Sequence, residues 1–261
     1  MTSARPLALV TGVGRRAGIG AALATRLATD GWDLAISWWG PYDDRVSGGA
    51  DPDGVESVVQ ECEAAGARVT RLPVDLEDPE QAAALVGRAE TEAGAPVTVL
   101  VMSHCESVDS DFRTTTVDSW DRHFAVNARA PFLLVQAYAA GLERAGDAAP
   151  RDRRRIVALT SDHIAYNLPY GASKGALDRI VFGAAKELGS LGVSANVVNP
   201  GPNDTGWMSD EVKGWAVEGT PLGRLGRPSD TAALVGFLCS EQGAWVNGQL
   251  LKSDGGISNS A

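Results

Sequence analysis

The sequence is poor in cysteine and histidine, with three residues of each in a chain of 261. Cys62, Cys105 and Cys239 lie far apart and form no CxxC motif. An odd and sparse set of cysteines does not build a disulfide framework and is typical of a reducing compartment. Because no Cys/His cluster with zinc-ligand spacing is present, we expect no bound metal. These features predict a cytoplasmic protein.

Long hydrophobic runs and an excess of positive charge are also missing. No stretch approaches the roughly 20 apolar residues of a membrane helix, and the apolar run near the first residue is too short for a signal peptide. The 33 Asp and Glu residues outnumber the 23 Lys and Arg residues, which gives a net charge of −10. We therefore expect neither nucleic acid nor a membrane to be a partner.

The sequence does contain short apolar runs that alternate regularly with helical patterns. Because no linker or repeat divides the chain, the alternation predicts one doubly wound α/β domain over residues 1–261, with a parallel sheet covered on both faces. A polar segment rich in Gly, Pro and Asp, residues 40–54, is predicted to be a loop. Helices are predicted from residue 23 and at residues 55–65, 79–93, 117–145 (bent near Pro131) and 170–191. Strands are predicted at residues 7–11, 33–37, 68–74, 97–102, 154–160, 194–199 and 249–252.

The first strand continues into a glycine-rich turn, TGVGRRAGIG, at residues 11–20. Gly12 permits a tight turn, whereas Gly18 and Gly20 let a phosphate approach the backbone and let a helix pack on the strand. The N-terminus of that helix offers N–H groups to a pyrophosphate. A tight turn without a ligand is the alternative. The position after the first strand of a βα series favours dinucleotide binding.

The coenzyme preference is predicted from two neighbouring segments. An acid at the end of the second strand normally accepts hydrogen bonds from the adenosine ribose and selects NAD, but residues 37–39 read SWW. Arg15 and Arg16 lie within the glycine-rich turn and could clamp a 2′-phosphate by charge-assisted hydrogen bonds. We therefore predict NADP(H) rather than NAD(H). Arg45 is a weaker candidate for binding the 2′-phosphate. The alternative is that both arginines are solvated loop charges.

Tyr170 and Lys174 form a pair on one helix face at positions i and i+4. A free tyrosine has a pKa near 10, and a neighbouring ammonium group favours the phenolate. Tyr170 could donate a proton to a carbonyl oxygen during reduction, or remove one from an alcohol during oxidation. Ser161, at the end of the fifth strand, could hydrogen-bond to the same oxygen. Thr160 is the alternative if the register differs by one residue.

In these motifs and in their order, the chain resembles the short-chain dehydrogenase/reductase family. The resemblance covers nearly all residues and implies a seven-stranded Rossmann sheet, a small-molecule substrate and a homodimer or homotetramer. It implies hydride transfer between nicotinamide and a carbonyl or alcohol, such as a ketone or a 3-oxoacyl group. The matching segments are TGVGRRAGIG, VDL at 74–76, HFAVNARAPF around Asn127, Ser161, YGASK at 170–174, NPGPNDT at 199–205 and the tail GRLGRPSDTAALVGFLCSEQGAWVNGQLLKSDGG.

The resemblance also implies a catalytic tetrad. Asn127 would orient a water molecule in a proton relay, and Ser161 would polarise the substrate oxygen. Tyr170 would be the acid or base. Lys174 would lower the pKa of Tyr170 and bind the nicotinamide ribose.

A larger set of residues is predicted to contact the coenzyme, with Asp75 at the adenine and Thr205 at the carboxamide. The segment at about 204–225 would form a substrate lid, in which Trp207, Met208 and Trp215 either line the substrate or pack against the body. The predicted coenzyme contacts are Gly12, Arg15, Arg16, Gly18, Ile19, Gly20, Trp38, Asp75, Leu76, Ser103, Tyr170, Lys174, Pro200, Gly201 and Thr205.

Three departures from the family pattern leave alternatives open. The glycine motif has two extra residues, MSHC at 102–105 replaces the usual NNAG, and Ser161 and Tyr170 are only nine positions apart. A dinucleotide-binding sensor or scaffold with little turnover is therefore an alternative function. Enoyl reduction or epimerisation on the same scaffold is a further alternative.

Overall fold

Seven parallel strands form one sheet in the order β3-β2-β1-β4-β5-β6-β7. The computed structural model describes residues 5–46, 51–206 and 208–259. The predicted doubly wound α/β fold with a seven-stranded parallel sheet is confirmed. The strands are β1 (Leu7–Thr11), β2 (Asp33–Trp38), β3 (Val69–Pro73), β4 (Val97–Met102), β5 (Arg155–Leu159), β6 (Ser194–Asn199) and β7 (Leu250–Lys252).

Helices cover both faces of this sheet. The four strands β1, β4, β5 and β6 are buried along their whole length, which explains why their sequences are mainly apolar. Within the described ranges, no helix is long and apolar enough to cross a membrane. The helices are α1 (Ile19–Thr29), α2 (Gly40–Val46), α3 (Gly54–Ala64), α4 (Pro79–Ala93), α5 (Val117–Phe124), α6 (Ala130–Ala145), α7 (Leu168–Glu187), α8 (Asp210–Gly219) and α9 (Pro228–Cys239).

The strand order reverses at β1, which pairs with β2 on one side and with β4 on the other. Connections from these two neighbours leave the sheet in opposite directions, so a crevice opens beyond the carboxyl ends of the strands. The segments that follow β1, β2, β4 and β5 all reach this edge. The fold therefore brings distant parts of the sequence together at one site.

The prediction of a loop over residues 40–54 is wrong for its first half, because residues 40–46 form α2. Residues 47–50 lie outside the described part of the chain. Tertiary contacts hold this short helix: Arg45 pairs with Glu106 after β4, and Asp43 pairs with Arg15 in the glycine-rich turn. Such contacts outweigh the weak helix propensity of a Gly- and Asp-rich segment.

The predicted long helix at 117–145 is interrupted just before Pro131. A π-helical turn, Ala125–Arg129, separates α5 from α6, and Pro131 lies in the first turn of α6. The side chain of Asn127 on this turn bonds to the backbone of Glu106, both to its N–H and to its carbonyl, each at 2.8 Å. Single π-turns of this kind are frequent at functional sites.

Candidate functional site

A cleft of about 360 Å³ opens at the carboxyl edge of the sheet. It runs from the glycine-rich turn, past the ends of β2 and β4, to the start of α7. Of the predicted coenzyme contacts, Arg16 and Gly201 do not line the cleft. Those that line it are Gly12, Arg15, Gly18, Ile19, Gly20, Trp38, Asp75, Leu76, Ser103, Tyr170, Lys174, Pro200 and Thr205.

The glycine-rich turn is packed backbone against backbone. Gly12 has a φ of +78°, and a Cβ atom there would lie 2.7 Å from the backbone nitrogen of His104. A Cβ atom on Gly20 would overlap the carbonyl oxygen of Gly12. The turn therefore brings the start of α1 against the end of β1, and Gly18 and Gly20 line the cleft, where the N–H groups of a helix N-terminus can bind a phosphate.

The chemistry of the cleft fits a dinucleotide coenzyme. The hydroxyl of Ser37, at the end of β2, lines the cleft and has no hydrogen-bond partner among the described residues. Because a buried hydroxyl without a partner is costly, it favours a polar ligand at this position. Asp75 and Leu76 flank the same region, and Tyr170 and Lys174 lie at the far end.

The two arginines of the turn face different directions. Arg15 lines the cleft, and its Nε lies 3.6 Å from Oδ1 of Asp43. Arg16 lies outside the cleft on the exposed surface, where its Nε and Nη2 each donate to the Asp51 carboxylate at 3.1 Å. Of these two arginines, the structure therefore brings Arg15 to the cleft and leaves Arg16 outside it.

Helix α2 adds a wall to the cleft that sequence reasoning missed. Tyr42, Asp43 and Arg45 line it from α2, and Arg45 Nη2 lies 2.7 Å from Glu106 Oε2 on the opposite side. Arg45 was named as a weaker candidate, but Tyr42, Asp43 and Glu106 were not. Pro41, at the second position of the helix, was the available signal, because proline is favoured in a first turn.

Tyr170 and Lys174 lie in the first two turns of α7, close to the end of β5. Lys174 Nζ lies 5.7 Å from the centroid of the Tyr170 ring and donates to the carbonyl of Leu159 at 2.9 Å. Desolvation in the cleft raises the pKa of Tyr170, although a hydrogen bond to Ser161 opposes this. Burial lowers the pKa of Lys174. The phenol is therefore neutral at pH 7 in this environment. Desolvation, and not the predicted lowering by Lys174, has the dominant effect on its pKa.

Ser161 is brought to Tyr170 by a short loop over residues 162–167. The backbone N–H of His163 donates to Ser161 Oγ at 3.2 Å, so the hydroxyl proton of Ser161 is left to donate elsewhere. The alternative hydroxyl, Thr160, lines the cleft but makes no hydrogen bond to Tyr170. The geometry therefore favours Ser161 as the hydroxyl next to the phenol.

Asn127 is fully engaged below the cleft and does not line it. Besides its two bonds to the Glu106 backbone, its Nδ2 donates to Ser173 Oγ at 3.0 Å. The hydroxyl of Ser173 in turn donates to the carbonyl of Tyr170 at 2.8 Å. Asn127 therefore connects the segment after β4 with the first turn of α7. Its predicted role in orienting water stays a prediction.

His104, which lies within the segment that replaces NNAG, ties the turn to the π-helical segment. Its Nδ1 lies 2.6 Å from Thr11 Oγ1, and its Nε2 lies 3.1 Å from the carbonyl of Val126. Because a carbonyl only accepts, Nε2 carries the proton and Nδ1 accepts from the threonine hydroxyl. Desolvation lowers the pKa of His104 to about 3.

We expect His104 to make the chain less stable as the pH falls. The unfolded chain takes up a proton on this residue below about pH 6.5, whereas the folded chain does so only near pH 3. The free energy of unfolding should therefore lose about 2 kcal/mol from this residue between pH 7 and pH 5. Urea unfolding at the two pH values should show that His104→Gln removes this part of the loss. The exposed His163→Gln is the control, and an equal pH dependence in both variants would contradict the assignment.

The predicted lid contains α8, which begins after Ser209 at residue 210. Lys213 on this helix pairs with Asp204 at 3.1 Å. Trp215 is exposed and Met208 is half-buried, while Trp207 lies outside the described residues. That these side chains either line the substrate or pack against the body of the protein stays a prediction.

Comparison with known proteins agrees with this geometry. A family model described as enoyl-(acyl carrier protein) reductase matches residues 12–258. An uncharacterized oxidoreductase of Bacillus subtilis (strain 168) is 31% identical over 259 residues, which cover 98% of each chain. An NADPH-dependent aldehyde reductase-like protein of Arabidopsis thaliana is 34% identical, and the match covers 96% of this chain and 93% of that protein.

A solved structure shares the whole architecture. The short-chain dehydrogenase from Burkholderia cenocepacia J2315, crystallised in complex with NADP, superimposes with a TM-score of 0.84 at 30% identity. The superposition covers 98% of each chain. With the parallel sheet, the glycine-rich turn and the Tyr170–Lys174 pair, these matches place the chain in the short-chain dehydrogenase/reductase family of NAD(P)-dependent oxidoreductases.

Proposed function

We propose that the chain reduces carbonyl compounds, or oxidises the corresponding alcohols, with a preference for NADP(H) over NAD(H). The observation that carries this proposal is the arrangement of Tyr170 and Lys174 on one wall of the cleft whose other end is the glycine-rich turn. Tyr170 and Lys174 on that wall transfer a proton, while the glycine-rich turn binds the phosphate groups of the coenzyme. Ketones, aldehydes and 3-oxoacyl groups all offer the oxygen that this arrangement requires.

Residues of the chain would transfer the proton and stabilise the charge that results. During reduction, Tyr170 Oη gives its proton to the substrate oxygen, and the Ser161 hydroxyl donates a second hydrogen bond to the same oxygen. The Lys174 ammonium stabilises the resulting phenolate by its charge. Asn127 and Ser173 hold the first turn of α7 in place. Bound in the cleft, the nicotinamide coenzyme would supply or accept the hydride.

Arg15 supports the proposed preference for NADP(H). It is the arginine of the glycine-rich turn that faces the cleft, and the end of β2 provides no carboxylate at residues 37–39. A guanidinium there can bind a 2′-phosphate through two hydrogen bonds. The name of the Arabidopsis relative and the NADP complex of the Burkholderia structure point the same way.

Loss of NADPH absorbance in the near ultraviolet tests the function directly. The chain is mixed with NADPH or NADH and with a panel of aldehydes, ketones and 3-oxoacyl thioesters. We expect turnover of at least one carbonyl class and a higher kcat/KM with NADPH. Tight NADPH binding without turnover of any panel member would favour the sensor or scaffold instead.

Enoyl reduction is the alternative that the description of the matching family model brings forward. Deuterium on the transferring position of NADPH distinguishes the two reactions. Label on a carbinol carbon would show carbonyl reduction, and label on a carbon β to a retained carbonyl would show enoyl reduction. We expect the first outcome, because a proton given by Tyr170 to the substrate oxygen converts a carbonyl directly into an alcohol.

We expect Ser161→Ala to lower kcat by about a hundredfold, because a donor to the reacting oxygen is lost. The NADPH dissociation constant should stay within about twofold, since Ser161 does not line the coenzyme cleft. Steady-state kinetics and NADPH fluorescence titration measure the two quantities. Thr160→Val, which keeps the side-chain shape, is the companion variant. A larger loss of turnover in Thr160→Val than in Ser161→Ala would assign the role to Thr160.

We also propose a homodimer or homotetramer in the cytoplasm. Apolar side chains of α5 and α6 are exposed, among them Val117 at 74% and Phe132 at 50%. In the segment between α9 and β7, Trp245 is 98% exposed. Apolar patches of this kind mark protein contacts. Light scattering on the purified chain should give two or four copies, and a monomer at all concentrations would contradict the proposal.

A further inference from the structure

Helix α2 places an anion against the glycine-rich turn, where the coenzyme phosphate would be bound. Asp43 is buried, and its Oδ2 lies 2.6 Å from the position that a Cβ atom on Gly14 would occupy. Its Oδ1 lies 3.6 Å from Arg15 Nε. The carboxylate therefore lies next to both groups that favour a phosphate in this part of the cleft, namely the backbone of the turn and the guanidinium.

A second ion pair keeps Asp43 in this position. Arg45, on the same helix, reaches across to Glu106 at 2.7 Å, and only 4% of the Glu106 side chain is exposed. The pair anchors α2 between the glycine-rich turn and the segment after β4. Asp43 is therefore part of a fixed wall of the cleft.

An anion fixed next to Arg15 affects the two coenzymes differently. A 2′-phosphate carries close to two negative charges, so it must share or displace the carboxylate that Arg15 already holds. The ribose hydroxyl of NAD carries no charge, and a carboxylate can accept a hydrogen bond from it. Asp43 thus opposes NADP at the same place where Arg15 attracts it.

We propose that Asp43 is a coenzyme-specificity residue that competes with the 2′-phosphate for Arg15 and thereby limits the preference for NADPH over NADH. The inference rests on the proposed function, because it concerns the coenzyme of that same cleft. It assigns opposite effects to two residues in contact. Arg15 raises the preference for the phosphorylated coenzyme, and Asp43 lowers it.

Calorimetric titration with adenosine fragments tests this without turnover. The probes are 2′,5′-ADP and 5′-AMP, which differ only in the 2′-phosphate. We expect Asp43→Asn to tighten 2′,5′-ADP about tenfold, as one competing charge is removed, and to change 5′-AMP by less than about twofold. Asp30→Asn is the matched control, because it removes the partner of Arg26 in an ion pair that lies outside the cleft. This control should change neither affinity.

A double-mutant cycle assigns the effect to the pair. In an Arg15→Ala background, most of the gain from Asp43→Asn should disappear, since no guanidinium remains to be contested. Circular dichroism checks the fold of each variant, and Asp43→Ser is measured alongside so that the result does not depend on one substitution. An unchanged ratio of the two fragment affinities in both Asp43 variants would overturn the inference. Failure of the unaltered chain to bind NADPH or NADH would overturn the proposed function, and this inference with it.

Discussion

Tyr170→Phe should lower kcat for carbonyl reduction by about a thousandfold, the range in which a positioned proton donor contributes. Phenylalanine keeps the ring and its packing, so only the Oη proton and the hydrogen bond to Ser161 are lost. Binding of the coenzyme should therefore stay within about twofold. Steady-state kinetics together with NADPH fluorescence titration separate the loss of chemistry from a loss of binding.

The control for this prediction lies four residues upstream. Tyr166 is 82% exposed on the loop that carries His163, and it does not line the cleft. Tyr166→Phe should keep full turnover. If Tyr170→Phe turned over as fast as Tyr166→Phe, the proton chemistry assigned to Tyr170 would be wrong.

The strands could be predicted because burial on both faces leaves few polar residues in them. Val97–Met102 is buried at every position, and its predicted bounds are those of β4. Helix α4 was equally predictable, since Pro79 marks its first turn and Gly94, with a φ of +68°, caps its end. In these elements the local sequence and the tertiary environment favour the same structure, which is why they were found.

Other features depend on contacts that sequence patterns do not contain. Arg15 and Arg16 are chemically equivalent neighbours in one turn, and only their partners, Asp43 and Asp51, distinguish the arginine in the cleft from the one outside. Both partners belong to a segment predicted to be an irregular loop. Sequence patterns likewise do not contain the bonds between Asn127, on the π-helical turn of the long helix, and Glu106, which is remote in sequence.

The proton chemistry could likewise be predicted only in part from the sequence. The spacing of Tyr170 and Lys174 predicted one helix face, and the structure places both at the cleft. The pKa of Tyr170 could not be predicted, since the sequence shows the ammonium but not the desolvation. Burial raises the pKa of the phenol and lowers that of Lys174. Burying the Lys174 ammonium therefore costs free energy of folding. The gain from this charge lies in catalysis and not in stability.

Lys174→Met is accordingly expected to lower kcat/KM by at least about a hundredfold. The variant keeps an unbranched side chain of similar length but removes the ammonium beside the phenol. Loss of the hydrogen bond to the Leu159 carbonyl should cost only about 1–3 kcal/mol of stability, so the fold should survive. Lys186→Met, at an exposed position of the same helix, is the control and should keep full activity.

The pH profile distinguishes loss of the charge from loss of structure. Alcohol oxidation requires the phenolate, and removing a nearby positive charge disfavours that form, so the pKa of Tyr170 should rise further. The limb of the oxidation profile that rises with pH should therefore move to higher pH in Lys174→Met, while Lys174→Arg, which keeps a cation, should move it less. A merely structural role would lower the activity at all pH values without moving the limb. An unmoved limb with reduced activity would show that Lys174 acts by packing and that the charge does not set the acidity of Tyr170.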